Sequence, residues 1–251
     1  MREFLLKDRV QVSLALIIFL ITWQVAAISI DNSIYLPTIP CVIKNLINIV
    51  QEESFIYNVG SSLFRSFMSF IIALLGGCIL GLVSFLSTTF RNFFKPLNAL
   101  STSIPTMVLV VLALIWFDKD MAPFIVGTLI VFPILYEGIL SSLLNINKDI
   151  IEMSMIYEVP GRYKFKNLYL PTMKLQILNF VVSTFSLGFK VVIAGEVHGQ
   201  PTYGIGTVIQ YEKINFNTEA IFAWIVILAI ISFILGMVQK LIRKKIFKWK
   251  E

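Results

Sequence analysis

Long apolar runs, separated by short polar interruptions, set the pattern of this chain. Crossing a bilayer as a helix takes roughly 20 mainly apolar residues. Six stretches meet or approach that length, at about 11–30, 59–86, 98–117, 121–144, 175–198 and 219–240. Only Asp118, Lys119 and Asp120 part the third from the fourth, which predicts a tight hairpin of two helices. Three longer connections remain. Residues 31–58 hold "YLPTIP" and a weakly amphipathic stretch from Val42 to Val50, and residues 199–218 hold "GQPTYGIG", rich in turn formers. The third, 145–174, is the most polar. The sequence shows no internal repeat and no low-complexity tract.

Composition turns this pattern into a class. The chain is 57% hydrophobic and 14% charged, with a mean hydropathy of +0.83, whereas soluble domains carry about 25% charged residues. So much apolar surface exceeds what an interior of this size absorbs, and lipid is the remaining solvent. The expected fold is an all-α integral membrane protein of six transmembrane helices. The first apolar run follows Arg2, Lys7 and Arg9 but lacks a small-x-small cleavage site, so it reads as an uncleaved anchor.

The net charge of +6 invites a nucleic-acid reading, but the placement of the bases explains it better. Of 21 Lys and Arg residues, 16 fall on one side of the six-span arrangement. They are Arg2, Lys7, Arg9, Arg91, Lys95, Lys148, Arg162, Lys164, Lys166, Lys174 and six in the tail "KLIRKKIFKWK". Lys44, Lys119 and Lys213 fall on the other side. Basic residues favour the cytoplasmic side, so both termini are expected there, with no nucleic-acid partner. Cys41, Cys78 and the single His198 form no metal-ligand or disulfide pattern, and His198 reads as a surface residue of the last outer loop.

The polar connection then becomes informative. Nothing breaks a helix from Lys148 to Tyr157, and Val159 before Pro160 ends it. At 100° per residue, Ile151, Glu152, Met155 and Glu158 share one side while Met153 and Tyr157 lie on the other. A helix at the water boundary needs one apolar face. A second face implies a partner protein, although a plain interfacial linker fits the periodicity equally well, with Arg162, Lys164 and Lys166 on lipid headgroups.

At this point the residues resemble a known family. In the permease subunits of type I ATP-binding-cassette importers, a cytoplasmic loop carries a Glu, a Gly six residues later and a Leu-Pro ending thirteen further on. Glu152, Glu158 and Leu170-Pro171 keep that spacing. "YLPTIP", "SSLFRSF", "KPLNALSTSIPT", "IWF", "FPILYEGI", "VVIAGEVHG" and "YGIG" resemble further elements of the family in order. They point to its nitrate/sulfonate/taurine-type branch. Glu158 replaces the family's Gly, which moves the expected bend to Pro160-Gly161, and Met153 and Ser154 replace small residues.

The resemblance implies one permease domain over 1–251. Residues 1–58 would be a first helix plus outer loop, 59–240 a five-helix core and 241–251 a basic cytoplasmic tail. The loop between the fourth and fifth helices would be a coupling helix that docks on a cytoplasmic ATPase subunit dimer through Glu152, Met155, Glu158, Pro160, Gly161, Leu170 and Pro171. ATP and Mg would be bound by that partner, leaving no cofactor in this chain, which lacks a Gly-x-x-x-x-Gly-Lys-Ser/Thr loop. The other implied partners are a second permease copy, as a homodimer, and an extracellular or periplasmic solute-binding protein, at a prokaryotic cell membrane. The solute would be a small anion such as nitrate, a sulfonate or a taurine-like compound, or a vitamin precursor.

Ionisable groups within spans cost at least about 2.5–3.5 kcal/mol each, so each needs a reason. Arg65 and Lys190 lie in the outer half, either reaching to headgroups or facing a pathway or neighbouring helix. Together they favour an anionic solute. Glu137 would bond a neighbouring helix or line the lower pathway, and Glu196 would hold a hydrogen bond at an outer gate. "GGCILG" (76–81) permits close helix approach, within the chain or across a dimer. Two other classes compete. An ion-gradient-driven secondary transporter leaves the docking loop without a role and lacks the expected inverted repeat. A membrane-embedded enzyme lacks any nucleophile–base pair or metal cluster.

Overall fold

The computed structural model describes residues 2–246, and every regular element among them is helical. The chain passes between two compact units after Ile56, after Thr207 and after Ile231. The first and third pieces form one unit, the second and fourth the other.

The first unit holds α1 (Arg2–Ile30), α2 (Ile39–Gln51), the end of α10 (Ile205–Ile214) and the start of α11 (Thr218–Ile246). From Val10 to Ile30, α1 is apolar and almost wholly uncovered, as a helix bathed in lipid should be. The "YLPTIP" turn is bonded back onto it. The Trp23 indole donates to the Pro37 carbonyl at 3.0 Å, and the Ile39 amide donates to Gln24 Oε1 at 2.9 Å. Trp23 also packs at a tilt against Phe222 of α11, ring centroids 5.2 Å apart, and Asn45 Nδ2 of α2 donates to Glu219 Oε2 at 2.9 Å. The stretch expected to be weakly amphipathic is therefore a full helix, with Val42 and Ile49 buried one heptad apart on one face.

The second unit contains most of α3 (Ser54–Leu86), then α4 (Thr88–Ser103), α5 (Thr106–Trp116), α6 (Ala122–Leu144), α7 (Lys148–Ile156), α8 (Gly161–Lys164) and α9 (Leu170–Gly199). Helices α6 and α9 make its most extensive pairing. Small residues set the spacing. A Cβ on Gly77 would stand 3.1 Å from the Tyr136 backbone nitrogen, and one on Gly81 3.0 Å from Ile139 Cγ2. The Gly-rich face of α3 is thus consumed by packing against α6 within the chain.

Among the described residues, four helices are long and apolar enough to cross a membrane, or up to six spans if each bent pair counts once. The third expected span, 98–117, is corrected: it is not one straight helix. It breaks at Ile104-Pro105, where α4 and α5 meet at 100°. Pro105 forces Ile104 into extended backbone (φ −74°, ψ 126°) and lacks the N–H that would continue α4. At 11 residues, α5 is only about 16 Å long.

The fifth span starts earlier than expected. From Gly161 to Gly199 the chain is helical throughout, passing through one π turn at Phe165–Tyr169. That wider turn ends at Tyr169, and Leu170 alone separates it from Pro171, whose ring would clash with the carbonyl four residues back in a regular α-helix. The Leu-Pro of the loop motif and the π turn are one local solution. The tail expected at 241–251 is helical as far as Ile246, and residues 247–251 lie outside the described residues.

Candidate functional site

Two clusters of the second unit, near opposite ends of α6, gather the residues singled out from sequence. Helix α6 has 23 residues, so its ends are roughly 33 Å apart.

At the far end of α6, Asn147 caps α7 by accepting the Asp149 amide at 2.9 Å. No residue of α7 is buried. Ile151 packs inward on a cluster of Ile139, Leu143 and Ile146 after and along α6, Met173 of α9, and Leu82 and Phe85 of α3. Glu152, Met153, Met155, Ile156 and Tyr157 face outward, with Ile156 77% and Tyr157 74% exposed. Leu170 is half-buried, while Glu158, Pro160, Gly161 and Pro171 are exposed.

The bend departs from expectation. Gly161 has an ordinary negative φ and simply begins α8, after Pro160. The reversal falls on Glu158, at φ 48°. The Glu158 amide donates to the Met155 carbonyl and the Val159 amide to the Ser154 carbonyl, each at 3.0 Å. These are the 5→2 and 6→1 bonds of a Schellman end, whose left-handed position usually takes Gly. The backbone thus bends at 158, where the resembled motif has glycine, and a glutamate occupies the position.

At the near end of α6, the chain builds a buried polar cluster around Arg65. Its guanidinium pairs with Glu196 Oε1 at 2.9 Å and Asp120 Oδ1 at 3.2 Å. It also donates to the carbonyls of Tyr203 at 2.6 Å and Asp120 at 3.2 Å. Four of its five donors are engaged, so it does not reach out to headgroups. Glu196 is fully buried and accepts two further bonds, from Ser62 Oγ at 2.7 Å and the Gly206 amide at 3.1 Å. Ser62 Oγ in turn accepts the Ile205 amide at 2.9 Å, and Asn58 Oδ1 accepts the Gly204 amide at 3.1 Å. Asp120 accepts the Thr202 amide at 3.0 Å. A Cβ on Gly204 would lie 2.7 Å from the Glu196 carboxyl carbon, and one on Gly206 2.4 Å from the Ile193 carbonyl oxygen. The two glycines of "YGIG" let this turn sit directly on Glu196.

The other charges stand apart. Glu137 is exposed on α6 and accepts from Asn98 Nδ2 of α4 at 2.8 Å. Asn98 is buried, and its Oδ1 has no partner among the described residues. Lys190 is exposed on α9 and makes no ion pair among the described residues. His198 is exposed in the last turn of α9 rather than in a loop. Sequence reading missed Asn58, Ser62 and Asp120. The signal was present: Asn58, Ser62, Ser66 and Ser69 fall at spacings of four, four and three, one polar stripe on an apolar span.

The family of binding-protein-dependent transport system inner membrane components matches over residues 73–248, more than half of the chain. A Methanocaldococcus jannaschii chain named as an ABC transporter permease is 26% identical over 92% of this chain and 88% of its own. The taurine transport system permease protein of Escherichia coli is 22% identical over 97% of this chain and 91% of its own. Among solved structures, an inward-facing MetNI methionine ABC transporter superposes with a TM-score of 0.66 at 16% identity. That superposition covers 75% of this chain and 94% of the matched one and speaks for the fold.

Proposed function

We propose that this chain, which belongs to the family of binding-protein-dependent transport system inner membrane components, forms the solute pathway of an ATP-driven importer and couples it to a separate ATPase through α7. The family makes it a multi-pass membrane transport subunit, and the helix that carries the coupling proposal is α7. Its half-buried Ile151 packs on the bundle, while Met153, Met155 and Ile156, with Tyr157 just after the helix, are presented to the surroundings, with Glu152 and Glu158 beside them. Uncovered apolar groups ringed by charge are what a protein partner covers. A push on α7 reaches the core directly. The cluster under Ile151 contains residues of α3, α6 and α9 together.

In this reading α7 and both termini lie on the cytoplasmic side, and the Asp118–Asp120 hairpin lies outside. Residues 59–240 work as the permease core, beside a second copy of the chain and a solute-binding protein outside. The solute class is a small anion. Arg65 no longer supports that reading, because Glu196 and Asp120 neutralise it within the chain. The support left is Lys190 and the likeness to the taurine permease.

Isolation of the tagged chain from its native membrane tests the assignment. An ATPase subunit should co-isolate, and Glu152→Lys or Met155→Asp should release it while membrane insertion is unchanged. Absence of any ATPase from the intact complex overturns the importer reading. Full transport in both variants overturns the docking role of α7. Uptake of labelled taurine and nitrate, with Lys190→Ala beside the parent, tests the solute class.

A further inference from the structure

We infer that Arg65 is the positioning residue of a releasable latch, which holds the Gln200–Gly206 turn and α9 against α3 and lets them part as one body. The inference rests on the permease reading, in which the hairpin end must be shut at one stage of the cycle and open at another.

The plane of parting is visible in who bonds to whom. On one side stand only side chains of α3: Asn58, Ser62 and Arg65. On the other stand Glu196 of α9, Asp120 of the hairpin, and the backbone of Tyr203, Gly204 and Ile205. The second group is already one body without α3. Gly204 and Gly206 seat the turn on Glu196, and Gly195 of α9 fits against Pro123, where a Cβ would come 3.0 Å from Pro123 Cα. Asp120 holds the Thr202 amide from the same side.

The face of α3 that would be uncovered suits separation. Ser66 Oγ donates to the Ser62 carbonyl at 2.7 Å within its own helix, and Ser69 Oγ, 2.8 Å from both its own Arg65 carbonyl and the Phe124 carbonyl of α6, marks where the separable stretch ends. The Ser66 hydroxyl stays satisfied when the neighbours leave, so opening confined to Asn58–Ser66 strands few polar groups and leaves the Phe70, Ala73, Val131 and Leu135 cluster below it closed. The ion pairs are also graded toward solvent: side-chain exposure is 46% for Asp120, 13% for Arg65 and 0% for Glu196. Water reaches the Asp120 bond first. Its exchange frees one arm of the guanidinium before the buried Glu196 bond has to yield.

The test uses the complete transporter in proteoliposomes, with Cys41 and Cys78 replaced by Ser and a Tyr203→Cys reporter. Tyr203 gives its carbonyl to Arg65, its ring lies 5.7 Å from that of Tyr57 on α3, and the residue is 46% exposed, so a cysteine there reports directly on the plane of parting. Labelling by a membrane-impermeant maleimide should change at least about fivefold between the ATP-free and vanadate-trapped states. Asp120→Asn keeps an acceptor for Thr202 but loses the charge, and should bring ATP-free labelling to the trapped level. Ser62→Ala, which removes two α3 bonds, should shift labelling in the same direction by a smaller factor. Identical labelling in the parent and both variants overturns the latch, as does a parent rate indifferent to trapping. A purely structural role would lower the yield of folded complex while leaving the ATP-dependent change intact. Loss of the importer reading shows separately, as failure of any ATPase to co-isolate.

Discussion

Along one face of α3, Asn58, Ser62, Ser66 and Ser69 give way after Phe70 to Ala73, Gly77 and Gly81, all of them buried. The polar half meets the Arg65 cluster. The small apolar half meets α6 and leads to the cluster that seats Ile151 of α7. The same helix is therefore held in two ways. At one end the contacts are directional bonds that water can replace. At the other they are mainly close-packed surfaces that lose attraction as soon as a gap opens, with one buried hydroxyl pair, Ser84 and Tyr136, at 2.9 Å. A transporter needs one end of a helix to part and the other to transmit a push. The difference between the halves suits both roles proposed for α3.

Arg65→Ala breaks the polar end hardest. It leaves the Glu196 carboxylate buried without its cation, and a buried pair that loses one partner costs about 3–5 kcal/mol. The thermal midpoint of the purified complex should fall accordingly. Arg65→Lys should recover only part of the loss, since one ammonium cannot serve Glu196, Asp120 and two carbonyls together. A midpoint equal to the parent's would mean that the cluster holds nothing.

Leu143→Ala attacks the packed end and should cost about 2–4 kcal/mol, because Leu143 is fully buried beneath Ile151 and the site is braced by α3, α6 and α9. The comparison predicts a qualitative split as well. Arg65→Ala should alter access at the hairpin end, whereas Leu143→Ala should leave that access unchanged and weaken the dependence of transport on ATP. Met155→Asp comes next. Met155 is 61% exposed, so folding should be nearly unaffected, while retention of the ATPase on a pull-down should fall at least about tenfold, near 1.4 kcal/mol. Equal retention would detach α7 from the coupling role.

Much of this architecture was legible because lipid imposes a crude rule, that a long apolar run must become a helix. The spans at 11–30, 59–86, 121–144 and 219–240 follow directly. The break at Pro105 was hidden because hydropathy sums residues and ignores which one lacks an amide. The helix α10 was hidden in what read as a turn-rich loop, since "YGIG" looks like flexibility where it provides clearance above Glu196. Arg65 and Glu196 were each conspicuous, but their pairing joins residues 131 positions apart. Periodicity speaks only of neighbours on one helix, so it placed Arg65 in the span and left its partner open.

Glu158 is the smallest test and the most specific. The loop needs a left-handed residue after α7 because Met155 and Ser154 must have their carbonyls capped by the next amides. Sequence reasoning assumed that a glutamate would refuse that conformation and hand the bend to Pro160-Gly161. The capping bonds hold it at 158 instead. A left-handed conformation costs a non-glycine residue about 1–2 kcal/mol, while glycine gives back about 0.4–1 kcal/mol through the freer unfolded chain. Glu158→Gly should therefore stabilise the complex by roughly 0.5 kcal/mol. If its side chain also meets the ATPase, the same substitution will weaken retention of that subunit while the thermal midpoint rises, and the two measurements moving in opposite directions would mark Glu158 as a contact kept at the expense of stability. A fall in both would show that the bend at 158 is not the strained one.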